Sequence, residues 1–600
     1  MSNQGKTGSQ GDGTIRNVTV IWDNETEPDS TIPGPPVYVC ENDIVTVKLM
    51  NEGIDDDAGA TIHWHGLHML HDHNFCPNFY EDSETKIETC SSDQNIDLLR
   101  TQWADGVPTV TQCPITKGSN FTYTFFAVPA GTYWYHSHMA FQRDDGAYGS
   151  LVVREQKNGT TFKHLSPAYK NFLSQTCDPS DFTIIVAEWY KQSHDNGPPS
   201  SILVNGKGRL NNGFKSHDIP WSVFRLDKDE CADKNYYRFR VIGAQANLCP
   251  IEVSIRDNDG AYYMNLTIIA TDGQYVEPKI VNSFIITNGE RYDFLIPAKN
   301  PNPDQAFYTM RFGSVIGFCR GNFSAIAFIS YGDSAEINQT IPADPGKATN
   351  VPGPVLNGDN FDNYDNSVSI TDLKSEFYFK YNQKKADKTF YMTYTVSPVG
   401  LGFNFLSFKI ETLNKMGKPF LSDGDSLDSK DFCPNGGRLN GAEMGAPNDT
   451  CYNIIDINNN DVVDFFIINL FGSFHMLHMH GYHYRVLAEG NFEFPPNPPF
   501  NYAEYLLNQD EEGKINRNFD YPVKKDTLQA KPNGWNLIRI FAKNPGYWLT
   551  HCHFALHEML GMNFVIKVGN RADWNIPTGF PTCGPTATIP APDNFEPCPH

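Results

Sequence analysis

Short runs in which apolar and polar residues alternate recur along the whole chain. They include VYVCENDIVTVKLMN, SNFTYTFFAV, GSLVVRE, DFTIIVAEWY, YYRFRVIGA, MNLTIIATDG, NSFIITNGERYDFLIP, VVDFFIINLF, WNLIRIFAKNPGYWLTH and MNFVIKVG. Val, Ile, Phe, Tyr and Thr fill these runs, and Gly, Pro and Asn separate them. A period of two in β-branched and aromatic residues predicts strands, and many short strands between turn residues predict sandwiches or barrels. No long amphipathic helix is predicted; a short one is expected near Ala503–Asn508. The expected class is all-β.

A chain of 600 residues is too long for one hydrophobic core. Composition shifts divide it into units at 14–160, 165–335 and 370–570, followed by a Pro-rich tail at 571–600. The polar stretch GDSAEINQTIPADPGKATNVPGP reads as the linker before the third unit. Three sandwiches of about 150–200 residues each fit this length. Two insertions interrupt the pattern. The segment 68–103 is acidic and loop-like and holds Cys76 and Cys90, and 490–518 carries FEFPPNPPFN and an acidic patch.

Charge and cysteine usage narrow the setting. The net charge of −23 disfavours a nucleic-acid partner. No apolar run reaches the roughly 18 residues of a transmembrane helix. The polar N-terminus MSNQGKTGSQGDG has no apolar signal core, which fits a cytosolic chain or a mature form with its signal removed. There are thirteen cysteines; setting Cys552 aside for metal leaves twelve, an even number suited to disulfides. They are scattered, without a CxxC pair, which argues against zinc ribbons and for an oxidising compartment. Asn-x-Ser/Thr sequons, such as those at Asn120 and Asn322, add weak support for a secreted glycoprotein.

The candidate chemistry lies in histidine. His-x-His occurs at His63/His65, His71/His73, His136/His138, His478/His480 and His551/His553, whereas random placement of 18 histidines in 600 residues yields less than one such pair. Residues i and i+2 of a strand share a face, so one pair can offer two imidazoles to one metal cluster. A single pair is readily a coincidence. Four pairs in or beside strand-like sequence, two near each end of the chain, point to a shared site; the fifth, His71/His73, lies in the polar insertion. Beside them stand His475, Cys552, His557 and Met562. Two His, one Cys and a weak Met are the blue-copper electron-transfer set, and eight further imidazoles suffice for a multinuclear site. Structural zinc prefers closed four-ligand sites and fits less well.

These motifs, HWHG at 63–66, HSH at 136–138, HxxHxHG at 475–481 and HCHxxxHxxxxM at 551–562, resemble those of the multicopper oxidases. LVNGKGRL, ATDGQYVEP and NSFIITNGERYDFLIP look most like laccases of animals, of the arthropod type. The resemblance implies three cupredoxin-like Greek-key sandwiches and four coppers per chain. It implies type 1 copper on His475, Cys552 and His557 with Met562 axial, and type 2 copper on His63 and His478. It implies one type 3 ion on His65, His136 and His553, and the other on His138, His480 and His551.

The same resemblance singles out Asp105 as an acid near the trinuclear site, where an ordinary turn aspartate before Gly106 is the alternative. It also implies that Cys113 bridges to Cys583 or Cys598; Cys76 with Cys90 would close the first insertion. Two departures stand out. Met476 and Met479 replace the usual Pro and Leu and read as packing, and Ala555 stands where many relatives keep an acid. Glu558 is close in sequence but need not replace it.

The implied activity is laccase-like oxidation of phenols or diphenols with O2 as acceptor. Iron(II) oxidation is the alternative on the same machinery, and a copper-binding protein without turnover a third.

Overall fold

The computed structural model describes residues 2–583, with longer breaks at 22–31, 71–99, 191–198, 209–220, 227–232, 332–350, 409–418, 440–448 and 493–500 and several shorter ones. His71, His73, Cys76, Cys90 and Cys598 lie outside the described residues.

The first unit pairs a four-stranded sheet with a two-stranded one. The larger runs Val37–Cys40, Tyr148–Arg154, Gly131–Ser137, Ile62–His65, and the smaller joins Ile44–Met50 to Asn120–Phe126. Strand alternation explains its register. Trp64 points into the sandwich, its ring against those of Tyr123, Phe125 and Tyr135, so His63 and His65 leave by the other face. Antiparallel pairing sets His63 opposite His136. A slip of one residue would send both imidazoles into the core and expel Trp64. Burying such a side chain contributes about 1.5–3 kcal/mol, so the register is held firmly.

The second unit is two seven-stranded sheets face to face. Its second sheet is extended at one edge by Val355–Leu356 and Ser367–Val368, both in parallel pairing. That sheet therefore runs past residue 335, where composition ended the unit.

The third unit packs a nine-stranded sheet on a five-stranded one ordered Ile454–Ile457, Asn563–Val568, Gly546–Cys552, His475–Met479, Thr527–Ala530. In the smaller sheet His478 faces His551, and Leu477 faces Cys552. The all-β, three-sandwich class expected from the sequence is the observed one.

Helices are short. Tyr502–Glu511 contains the expected helical stretch; Asn501 caps it by accepting from the Glu504 amide, and it buries Leu506. Thr160–His164 and Pro167–Leu173 were not anticipated, although Ser166 followed by Pro167 is a sound helix start. No described helix is long and apolar enough to cross a membrane.

Cys113 bonds Cys583 across a sequence separation of 470, and Cys433 bonds Cys451. Cys177 and Cys249 are also disulfide-bonded. Cys40 is free, so the twelve cysteines other than Cys552 do not all pair, contrary to the even count.

Candidate metal centre

Cys552 ends the strand Gly546–Cys552 fully buried. Its Sγ lies 3.7 Å from His475 Nδ1 and 3.5 Å from His557 Nδ1. The chain then turns through the helix Ala555–Met559, and Gly561 at φ +98° brings it back. That return lets the Cys552 amide donate to the Met562 carbonyl at 3.1 Å, and the Met562 amide to the His557 carbonyl at 3.0 Å. Met562 itself is buried beside them. Burial pushes the Cys552 thiol up to about 12, so a thiolate here calls for a cation next to it. Burial pulls His475 well below its ordinary value and His557 down to about 4. Both rings are therefore neutral near pH 7, with lone pairs free for a metal.

Eight imidazoles form the second centre. Donor atoms lie within 4.8 Å of one another in the sets His63, His65, His478; His65, His136, His553; His138, His480, His551; and His63, Asp105, His480. His63 Nε2 and His478 Nε2 are 3.4 Å apart, His65 Nδ1 and His553 Nε2 3.2 Å, and His480 Nε2 and His551 Nε2 3.2 Å.

The outer ring nitrogens fix the tautomers. His63 Nδ1 meets the Asp105 carbonyl at 2.8 Å, His136 Nδ1 the Ser137 carbonyl at 2.9 Å, and His478 Nδ1 the Asp526 carbonyl at 3.0 Å. His480 Nδ1 meets Asp105 Oδ2 at 3.0 Å, His551 Nδ1 the Cys552 carbonyl at 3.1 Å, and His65 Nε2 meets Asp526 Oδ1 at 3.2 Å. Each partner only accepts, so each outer nitrogen carries the proton and each inner one turns a lone pair into the cluster. His136 Nε2 and His138 Nε2 are buried with no hydrogen-bond partner, as nitrogens awaiting a metal would be. Burial draws His65, His136, His138, His478, His551 and His553 well below their ordinary values.

The strand argument holds with one refinement. His63 and His65 both lie within a strand, but His138, His480 and His553 each sit one residue past a strand end. Alternation persists through that residue. His551 joins His138 and His480, His553 joins His65 and His136, and Cys552 between them joins His475 and His557.

Asp105 lies at the cluster. Burial raises its carboxyl, but His480 and His63 more than offset this and hold it well below the carboxylate range. Met476 and Met479 are buried in the core. Several further neighbours complete the surroundings; of these only Glu558 stood out in the sequence, for its closeness to Ala555. Glu558 reaches His138 Nδ1 at 3.2 Å and His551 Nδ1 at 3.4 Å. Arg143 Nη1 lies 2.9 Å from His553 Nδ1. Thr527 Oγ1 is 3.1 Å from both His65 Nε2 and His478 Nδ1. His68, at the mouth of the first insertion, meets His483 rather than the cluster, Nε2 to Nδ1 at 2.5 Å.

Three multicopper oxidase family models match the chain, at residues 23–75 with 89–158, at 180–334 and at 419–572. An L-ascorbate oxidase of Cucumis sativus is 25% identical, covering 93% of this chain and 88% of its own. Laccase-1 of Cryptococcus neoformans var. grubii is 26% identical, covering 93% and 78%. Among solved structures, the laccase from Botrytis aclada superposes with a TM-score of 0.62 at 20% identity, over 94% and 85% of the two chains. Fet3p, a multicopper oxidase that functions in iron import, does so with 0.60 at 19%, over 93% and 88%. These relatives, plant and fungal by name where a source is given, do not support an arthropod-type subgroup. With its histidine clusters suited to copper, the chain belongs to the multicopper oxidase family, oxidoreductases that use O2.

Proposed function

We propose that this protein is a laccase-type oxidase of phenolic substrates, built from domains at 14–160, 165–335 with edge strands reaching Val368, and 370–570. In this reading His475, Cys552, His557 and Met562 hold type 1 copper, and His63 and His478 hold type 2. His65, His136 and His553 hold one type 3 ion, and His138, His480 and His551 the other. When bound, copper supplies one-electron oxidation of a reducing substrate and four-electron reduction of O2 to water.

The observation that carries the substrate class is the surface beside His557. This ring is only partly buried. Met559 and Leu560, two and three residues after it, are 37% and 44% exposed, and Val396 is 55% exposed. Val396 pairs with Leu401, whose amide donates to the Leu560 carbonyl at 2.9 Å, so the backbone sets these exposed apolar residues on neighbouring segments. Exposed apolar side chains beside His557 suit the face of an aromatic ring better than a hydrated iron(II) ion.

Reduction of dioxygen consumes protons; of the two carboxylates beside the cluster, Glu558 is placed to hold one and Asp105 stays ionised. Asp105 lies between His63 and His480, and Glu558 between His138 and His551. The disulfides Cys113–Cys583 and Cys433–Cys451 support a secreted protein.

The test is oxygen uptake driven in parallel by catechols, ascorbate and ferrous iron, with copper quantified in the same sample. Catechols should give the highest kcat/KM. Iron or ascorbate turning over far more efficiently overturns the phenolic reading, and no uptake by a copper-loaded sample overturns the oxidase.

A further inference from the structure

No donor of the two centres comes from the second sandwich among the described residues. That sandwich nevertheless reaches the cluster. Arg291, on the strand Arg291–Pro297, is fully buried. Its Nη1 donates to Asp526 Oδ1 at 2.6 Å and its Nη2 to Asp526 Oδ2 at 2.5 Å. This is the fork-on-carboxylate geometry that a guanidinium supplies and an ammonium does not. The guanidinium is itself fixed by the carbonyls of Gly289, at 2.8 Å, and Thr132, at 3.1 Å.

Asp526 passes the constraint on. Its Oδ1 receives His65 Nε2 and its carbonyl receives His478 Nδ1. Its own amide, with that of Thr527, donates to Asp272 of the second sandwich at 3.2 and 3.1 Å. Lys525 ties the same segment to Asp272 and Glu290 at 3.1 and 3.2 Å. Gly66, the last residue of HWHG, makes room for the pair. At φ +95°, a Cβ there would lie 2.5 Å from Arg291 Nη2 and 2.9 Å from Asp526 Oδ2.

We propose that Arg291 is a positioning residue for the oxygen-reducing cluster. Through Asp526 it sets the ring orientation and tautomer of His65 and His478, and so the copper that His63 and His478 share, while leaving the thiolate centre untouched. This rests on the donor assignment above, which the blue absorption and copper content of the parent protein test separately.

The experiment compares R291M and R291K with the parent, each copper-loaded. The readouts are the type 2 signal in electron paramagnetic resonance, the blue absorption, and the rate at which a chelator strips copper. R291M should keep the blue absorption, lose or shift the type 2 signal, and release that copper about 10–100-fold more readily. R291K keeps the charge without the fork and should fall between. If R291M does not fold, R291K decides alone. Parental type 2 signal and chelator resistance in the folded variants overturn the proposal. So does loss of the blue absorption in step with the type 2 signal, because that is general destabilisation.

Discussion

Glu558 Oε1 lies 3.2 Å from Nδ1 of His138, so a carboxyl from the turn after the thiolate strand touches an imidazole from the first sandwich. Ala555, where many relatives keep an acid, is buried and its amide donates to the Ala246 carbonyl at 3.0 Å. Glu558, against His138 and His551, is the carboxyl placed to deliver protons on this side. Glu558→Gln should lower kcat for oxygen consumption by about 10²-fold. It should leave the blue absorption and its anaerobic bleaching by substrate intact. Stopped-flow reoxidation by O2 checks this; a parental reoxidation rate would remove Glu558 from the reaction.

The same residue makes the copper-free protein sensitive to pH. Burial pushes the Glu558 carboxyl up to about 8, from 4.5. The folded chain thus holds a proton that the unfolded chain releases across this window. The resulting stability is full below about pH 4.5 and declines as pH rises toward about 8, by at most about 1.4 kcal/mol per pH unit. Urea unfolding of copper-free parent and Glu558→Gln at several pH values measures this. The variant should show the shallower decline; equal slopes would assign it to other groups.

Much of this was legible because the side-chain period of a strand is two. Trp64 between His63 and His65, and Cys552 between His551 and His553, announce two faces from sequence alone. Glu558 was named for its closeness to Ala555, but its reach to His138 and His551 was not legible, because it depends on a helical turn that no local pattern marks. The place of Asp526 beside His65 and His478 was not legible either, because contact with the second sandwich sets it. The second sheet's extension to Val368 hides inside a polar stretch, and the bonding state of Cys40 depends on spatial neighbours.

Cys552→Ser keeps the shape of the side chain and removes the thiolate. The variant should lose the blue absorption and substrate oxidation, and retain the type 2 signal because His63 and His478 lie in the other centre. Copper analysis with paramagnetic resonance checks it; oxidation at the parental rate would sink the assignment of Cys552.

Removing the Cys113–Cys583 bond frees the C-terminal segment from the first sandwich, where Cys113 is buried. Cys583→Ala with Cys113→Ala should cost about 2–4 kcal/mol and leave kcat of the folded enzyme near parental. Thermal inactivation half-lives report the first effect and oxygen uptake at low temperature the second. An unchanged half-life would show that the segment is held by packing alone.

The eight-imidazole cluster draws on residues 63–138 and on residues 478–553. During synthesis the first set leaves the ribosome hundreds of residues before the last. The early histidines must therefore pass through translation and sandwich folding without their partners, and the finished site exists only once His553 has been added. A product truncated before His551 therefore carries six of the eight imidazoles and an incomplete cluster.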